Sequence, residues 1–170
     1  NIPELTYKIF EIDTLTYYKQ NKTELNDQID LDGLVPEKIH KVLYSHAKQH
    51  QHEETFEFKE IAQREAGVFI VEFVGAGMSS RVVIKKGSLN LLVQRHFQGY
   101  KLYIINENKA VCTGQKTGLI IDGKMNRVNE QGFILMPFND ASMNTKPILT
   151  HNGFGFLGNL TMATENYTLR

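Results

Sequence analysis

Hydrophobic positions are laid out as for a pleated hairpin between Gly67 and Gly87, in the run GVFIVEFVGAGMSSRVVIKKG. Val68, Ile70, Glu72 and Val74 interleave with Phe69, Val71 and Phe73, so both faces of a strand here are largely apolar. A period of two sends successive side chains to opposite faces of a sheet, and branched and aromatic residues favour that conformation. Gly75-Ala76-Gly77 supplies a reversal, and Arg81 to Lys85 returns as a second β-branched strand. The pattern predicts a long hairpin with a buried leading strand. The chain changes character after it, which makes Gly87 a domain boundary.

Before the hairpin the elements are mixed. Leu5–Ile12 (LTYKIFEI) has strand composition. Leu15–Gln20 reads as one helical turn or a continued strand, with Tyr17 and Tyr18 as packing residues, and 21–28 as polar loop. Pro36 is placed as a first helical residue, and Ile39, Val42, Leu43 and Ala47 follow at helical spacing. That spacing predicts one amphipathic helix over 36–49. Glu54–Lys59 (ETFEFK) reads as another short strand.

After Gly87 the text is almost purely β. Leu89–Val93, Tyr100–Ile105, Leu119–Ile121, Phe133–Met136 and Ile148–Thr150 read as strands, Val111 as the start of another, and Asp122-Gly123 as a hairpin signal. No helix separates successive strands, which excludes a parallel Rossmann-like sheet. The expected fold is all-β (mainly β): two antiparallel β-sandwich modules, residues 1–87 and 88–170, with one helical insertion near 36–49.

Composition narrows the functions. Lysine plus arginine equal aspartate plus glutamate, 19 each, so no global field draws in nucleic acid or an anionic membrane. No apolar run reaches the ~18 residues of a membrane span. The opening Asn1-Ile2-Pro3, with no signal peptide, suggests a mature or excised fragment of something longer. One cysteine, Cys112, permits no intrachain disulfide and no cysteine-built zinc site. Sequons at Asn21, Asn159 and Asn166 are candidate glycosylation sites and hint at secretion.

Each motif that could carry chemistry has a plainer reading beside it. Gly75-Ala76-Gly77-Met78-Ser79-Ser80 resembles the start of a dinucleotide fingerprint, but a strand follows where a helix N-terminus is required, so it reads as a hairpin turn. His46 and His50 would lie one turn apart on the expected helix, a spacing that binds zinc, yet Gln49-His50-Gln51-His52 reads as a solvated end. Incidental surface histidines are favoured there, and no metal site is assigned. Cys112-Thr113-Gly114-Gln115 has the spacing of an internal thioester in a polar, turn-rich connection, where a lone buried or half-buried thiol is the better account. His96 and His151 are candidate partners for Cys112, and nothing in sequence places them near it. Asp27, Asp30 and Asp32 lack the bidentate glutamate of a calcium loop and read as solvated. Phe56, Phe58, Phe69 and Phe73 read as core rather than a stacking platform. No catalytic, cofactor or metal residue is therefore assigned.

The order of segments also carries a resemblance. An opening YKIFEID, then IDLDGLVP, then the hairpin run, the strand SLNLLV, the Asn106–Ala110 turn and Asn129–Phe138 together resemble the N-terminal modules of alpha-2-macroglobulin-like proteins over 4–140. The resemblance implies tandem macroglobulin-type sandwiches in a large secreted or surface protein, acting as scaffold. The family's thioester motif, Cys-Gly-Glu-Gln, is not matched by Cys112–Gln115, so trapping chemistry does not carry over.

These readings predict a non-enzymatic structural module pair, extracellular or at the cell surface, contacting neighbouring modules or other protein chains. The alternative is an adhesion module binding a glycan or protein on loops such as Asn139–Asn144 or Asn152–Gly158. An enzyme ranks third, because no acid, base and nucleophile set converges.

Overall fold

The computed structural model describes residues 2–45, 53–139 and 141–164. They fall into two compact units: Asn1–Ile12 with Leu25–Lys86, and Asp13–Glu24 with Gly87–Arg170.

The first unit is built on one antiparallel sheet of four strands in the order β2-β1-β3-β4. Its strands are β1 (Glu4–Ile12), β2 (Lys38–Leu43), β3 (Gly67–Gly75) and β4 (Met78–Lys86). Register places Ile9 opposite Val71 and Glu11 opposite Phe69, so Tyr7, Ile9, Phe69 and Val71 share a face. They are buried there with Ile61, and Val42, Phe56, Phe58, Phe73 and Ile84 pack against them. The Tyr7 ring meets Phe56 and Phe58 edge-on at 5.6 and 5.5 Å, the orientation the ring quadrupoles favour. Phe10, Ile12, Val68 and Ile70 point the other way and are buried too. The expectation of a leading strand apolar on both faces is met. Ala76 and Gly77 turn the hairpin with φ of +49° and +75°, the paired positive values of a type I′ reversal.

Two expectations for this unit are corrected. The segment read as a helical insertion over 36–49 is instead an edge strand across 38–43. It pairs with β1, Leu5 opposite Val42 and Tyr7 opposite His40. Over so short a run the apolar spacing fits either period, and pairing with an open edge of β1 decides it. The residues that made the helix look amphipathic, Ile39 and Leu43, are 55% and 76% exposed. Glu54–Lys59 is not a strand. It runs irregularly into a one-turn helix, Lys59–Ala62, while Phe56 and Phe58 cover the sheet.

The second unit opens with a helix from outside its main run of chain. Of the two alternatives for Leu15–Gln20, the helix is found: α1 spans Thr14–Asn21. Asp13 caps it, its Oδ1 accepting from the Thr16 N–H at 3.0 Å and its Oδ2 from the Thr16 hydroxyl at 2.7 Å. Lys22 ends it in the left-handed region. The strands are β5 (Leu89–His96), β6 (Gly99–Asn106), β7 (Thr117–Ile121), β8 (Lys124–Arg127), β9 (Phe133–Met136), β10 (Met143–Thr145), β11 (Ile148–His151), β12 (Phe154–Leu157) and β13 (Leu160–Met162). They form antiparallel sheets β5-β6-β9, β12-β11-β7-β8 and β10-β13. Leu89, Leu102, Ile104, Cys112, Leu119, Ile134, Leu149, Leu160 and Met162 make one buried core drawn from all three sheets. Asp122-Gly123 turns β7 into β8 as expected. Val111 gives a single bridge to Ile105 rather than a strand.

Helix α1 belongs to this unit by packing. Tyr18 is buried with Ile120 and Ile148, and Leu15, Tyr17, Met125 and Leu157 close around them. The Gly155 N–H donates to the Thr14 hydroxyl at 2.8 Å, a buried bond. A Cβ at Gly155 would stand 3.0 Å from Leu15 Cα, so the close approach of β12 to the helix backbone requires glycine. The fold as a whole is mostly β, in antiparallel sheets.

Candidate functional site

Of the groups singled out as chemical candidates, Cys112 and His96 stand well apart. Cys112 is buried in the aliphatic core, its N–H bonded to the Ile104 carbonyl at 2.8 Å. His96 lies at the far end of the β5-β6 hairpin, opposite Gly99, whereas Ile104 pairs with Leu91. Five strand residues separate the two levels, roughly 17 Å at ~3.4 Å each. Burial, and then the negative charge of Glu107, push the Cys112 thiol up from its ordinary value. A thiol held in its protonated form this way is a poor nucleophile. Gln115 is exposed while Cys112 is buried, opposite settings for two ends of a thioester.

His151 has both ring nitrogens engaged. The Thr117 hydroxyl donates to the Thr113 carbonyl at 2.8 Å, which leaves its oxygen to accept from His151 Nδ1 at 2.7 Å. The Asn152 amide then donates to Nε2 at 3.2 Å. These bonds give the ring a structural task, holding the β11-β12 turn to the start of β7. His96 lies against Phe97, the ring centroids 4.2 Å apart and the planes tilted by 42°. Among the described residues no group of three or more His, Cys, Asp or Glu side chains converges to hold a metal ion. His46 and His50 lie outside the described residues.

Other candidates take their plainer roles. Gly75-Ala76-Gly77 is a hairpin turn between two strands. In the acidic loop, Asp30 accepts from the Asp32 N–H at 2.9 Å, a local turn bond rather than a converging ligand. Phe56, Phe58, Phe69 and Phe73 sit in or against the core of the first unit. The sequon residues Asn21 and Asn159 are exposed, and Asn166 lies outside the described residues.

What remains is surface. The outward residues of the β5-β6-β9 sheet follow from its register in two rungs: Leu92, Tyr103 and Phe133, then Gln94, Lys101 and Leu135. Leu92 and Leu135 are 49% and 43% exposed. The Tyr103 and Phe133 rings stand 5.7 Å apart, and the Lys101 ammonium lies 4.6 Å over the Phe133 ring. Alternation of apolar and polar residues did not reveal this face, because both faces of these strands are apolar. A second surface feature is an open hollow of about 550 Å³ at Asn139, Ala141–Thr145 and Asp122, on one of the loops named from sequence. Its lining mixes polar residues with Ala141 and Met143, and among the described residues no buried side-chain polar atom lacks a partner.

Comparison with known proteins bears on both units. Residues 5–87 match the family model described as the AbpF first immunoglobulin-like domain. Over 175 aligned residues, 99% of this chain, the sequence is 32% identical to actin-binding protein F of Dictyostelium discoideum. The chain spans 7% of the length of that protein. No solved structure matches. The match overturns the macroglobulin resemblance, which rested on features shared by antiparallel modules generally: alternating strands, a glycine hairpin and polar turns. The extracellular or cell-surface location inferred with it is overturned as well, since the relative is an actin-binding protein.

Proposed function

From the likeness of residues 5–87 to an immunoglobulin-like module of an actin-binding protein, we propose that this chain is a pair of structural β modules in the cytoplasm. The proposed division remains 1–87 and 88–170, with residues 13–24 lent to the second unit. The observation that carries the reading is the contrast between 99% coverage of this chain and 7% coverage of the relative. Such a segment is a piece of an array, and its work is to hold neighbours at set spacing and offer surface to other proteins. Among the described residues no nucleophile and base stand arranged as catalysis needs, and the one thiol is buried in the core with its pKa pushed up.

Sedimentation with filamentous actin tests the reading. The spacer role expects the chain to stay in the supernatant. Saturable pelleting by the chain alone would replace it with a second reading, direct actin contact, which the relative's name favours. Sugar found by mass spectrometry on Asn21 or Asn159 of protein from its own cells would remove the cytoplasmic placement.

A further inference from the structure

We propose that the free edge of β5 pairs with β5 of a second copy of this chain, antiparallel and centred on Leu92. The inference rests on the protein-contact reading above and names the chain itself as one such contact. Strand β5 bounds its sheet, with β6 on one side and no strand on the other among the described residues. A free edge presents backbone N–H and C=O groups that a further strand satisfies.

Of the sheet edges, β5 is the least protected against such pairing. Its eight residues pair with β6 in unbroken register from Leu89 opposite Asn106 to His96 opposite Gly99, so no bulge twists the edge away. It contains no proline, and its one formal charge is Arg95, near the end. Leu92 on one face and Val93 on the other remain 49% and 39% exposed. Elsewhere β2 carries Lys38 and Lys41, β4 carries Arg81, Lys85 and Lys86, and β8 carries Lys124 and Arg127. Strands β9, β10 and β13 are only three or four residues long. The short edge strand β12 runs against the backbone of α1, through Gly155 and Thr14.

The direction of the backbone groups selects the register. His96 and Gly99 close a two-residue hairpin, so they bond to each other, and bonded pairs recur every second residue. The Ile104 carbonyl and the Asn106 N–H, opposite Leu91 and Leu89, bond away from β5, to Cys112 and Ala110. Leu89, Leu91, Val93 and Arg95 therefore turn their backbone groups to the open edge. A second copy must set these residues against one another, which puts the twofold axis at a residue and forbids it between two. Centred on Leu92, the ladder opposes Leu92 to Leu92, Leu91 to Val93 and Asn90 to Gln94, like with like on each face. Centred on Val93, it sets Gln94 against Leu92 and Arg95 against Leu91, inside the ladder. With the Leu92 centre Arg95, whose guanidinium lies over the Phe138 ring, falls at the ladder's end opposite Leu89. The two Arg95 residues then stand about 20 Å apart along the strands, beyond the screening length of physiological salt. On the outward face the pairing joins Phe133, Tyr103 and Leu92 to the same three residues of the second copy in one unbroken rung.

The test uses the whole 170-residue chain in sedimentation equilibrium. An edge ladder lies at the small end of interface sizes, so the expected monomer–dimer Kd is about 0.1–1 mM. Leu92→Glu, on the solvent side of the edge strand, sets two carboxylates face to face and should weaken the dimer about tenfold or more. Leu135→Glu, on the same face two strands away, should change it less than about twofold. Register is read by cross-linking: paired Leu92 residues are non-bonded neighbours with Cα atoms about 4.5 Å apart, within disulfide reach. Leu92→Cys, oxidised by oxygen with copper phenanthroline, should therefore couple about tenfold faster than Asn90→Cys, whose two copies stand about 14 Å apart. A chain that stays monomeric up to about 1 mM would leave the edge to a strand of another protein and overturn the proposal. Equal dimerisation of Leu92→Glu, or equal coupling of the two cysteine variants, would overturn it too. So would slow hydrogen exchange of the Leu91 and Val93 amides in dilute solution, which would mean that another segment of the chain covers the edge. Actin sedimentation decides the spacer reading separately, so either result can fail without the other.

Discussion

The two units solve the same problem with different materials. The first is one sheet of long strands, closed by an aromatic cluster on one face and laced by ion pairs at the surface. Glu72 on β3 sits between Arg81 at 3.0 Å on β4 and Lys8 at 3.9 Å on β1, a rung of charge across three strands. Arg64 reaches Glu11 and Glu37 at 2.7 Å each. The second unit uses short strands in three sheets, an aliphatic core and a helix lent from residues 13–24. Where the outer surface of the first unit pairs its charges, the outer β5-β6-β9 face of the second is largely apolar and aromatic, with Lys101 lying over the Phe133 ring. Short strands bury little each, so the second unit depends on contacts that are distant in sequence.

The largest effect should come from testing that dependence. A segment of Ser88–Arg170 alone lacks Thr14, Leu15 and Tyr18, and so uncovers Ile120 and Ile148. Losing Tyr18 by itself is worth about 3–5 kcal/mol on the scale of buried aromatic truncations. Against a typical stability of 5–15 kcal/mol, loss of the whole helix should abolish cooperative melting. Residues 13–24 fused ahead through a flexible linker should restore it. A segment that melts like the parent chain would show that α1 is ornament.

Next in size is Phe69→Ala in the first unit. Phe69 is fully buried in the aromatic core, so the cavity should cost about 3–5 kcal/mol. In calorimetry the change should lower one transition and leave the transition of the Leu102 core in place. A uniform shift of a single transition would mean that the units unfold together, against the proposed division.

The contrast was only half legible in the sequence. Val68–Val74 was legible as a strand apolar on both faces because a seven-residue run of branched and aromatic residues between glycines is too short and too β-prone for a buried helix. Asp122-Gly123 revealed a turn for the same local reason. Ile39, Val42 and Leu43 misled because apolar residues three and four apart also occur on an edge strand that buries little. The short strands β8, β10 and β13 were missed: Lys-Met-Asn-Arg, Met-Asn-Thr and Leu-Thr-Met carry almost no pattern of their own. Their pairing comes from tertiary context. Asn152-Gly153 was a turn signal inside a stretch taken as a glycine-rich loop, and Phe154–Leu157 beyond it is β12. Nothing local could announce that Tyr17 and Tyr18 pack with residues more than a hundred positions later. For Gly75–Gly77 the strand that follows the turn was legible in the sequence, again for a local reason.

The smallest expected effect separates the units by sign. In the second, hydrogen bonds from the Thr16 N–H and hydroxyl hold the Asp13 carboxyl below its ordinary value. An acid held low stabilises the fold above its unfolded pKa, about 3.9, and that contribution fades as pH falls through the lowered value. In the first, burial pushes Glu11 up, with the Glu37 hydrogen bond adding to it and Arg64 opposing. An acid held high stabilises most below its unfolded pKa, about 4.3, and the contribution is lost as pH rises through the raised value. Raising the pH from about 3 to 6 should therefore favour the second unit through Asp13 and disfavour the first through Glu11, in the range where carboxylates titrate. Asp13→Ala should cost the second unit about 1 kcal/mol at neutral pH, the usual worth of a helix cap, and flatten its acid-side slope. Glu11→Gln should flatten the opposite slope in the first unit, with little change at low pH. Melting curves of both variants across that range measure the two slopes separately. Equal slopes of one sign in both units would mean that the capping bond and the Glu11–Glu37–Arg64 cluster do not govern acid stability.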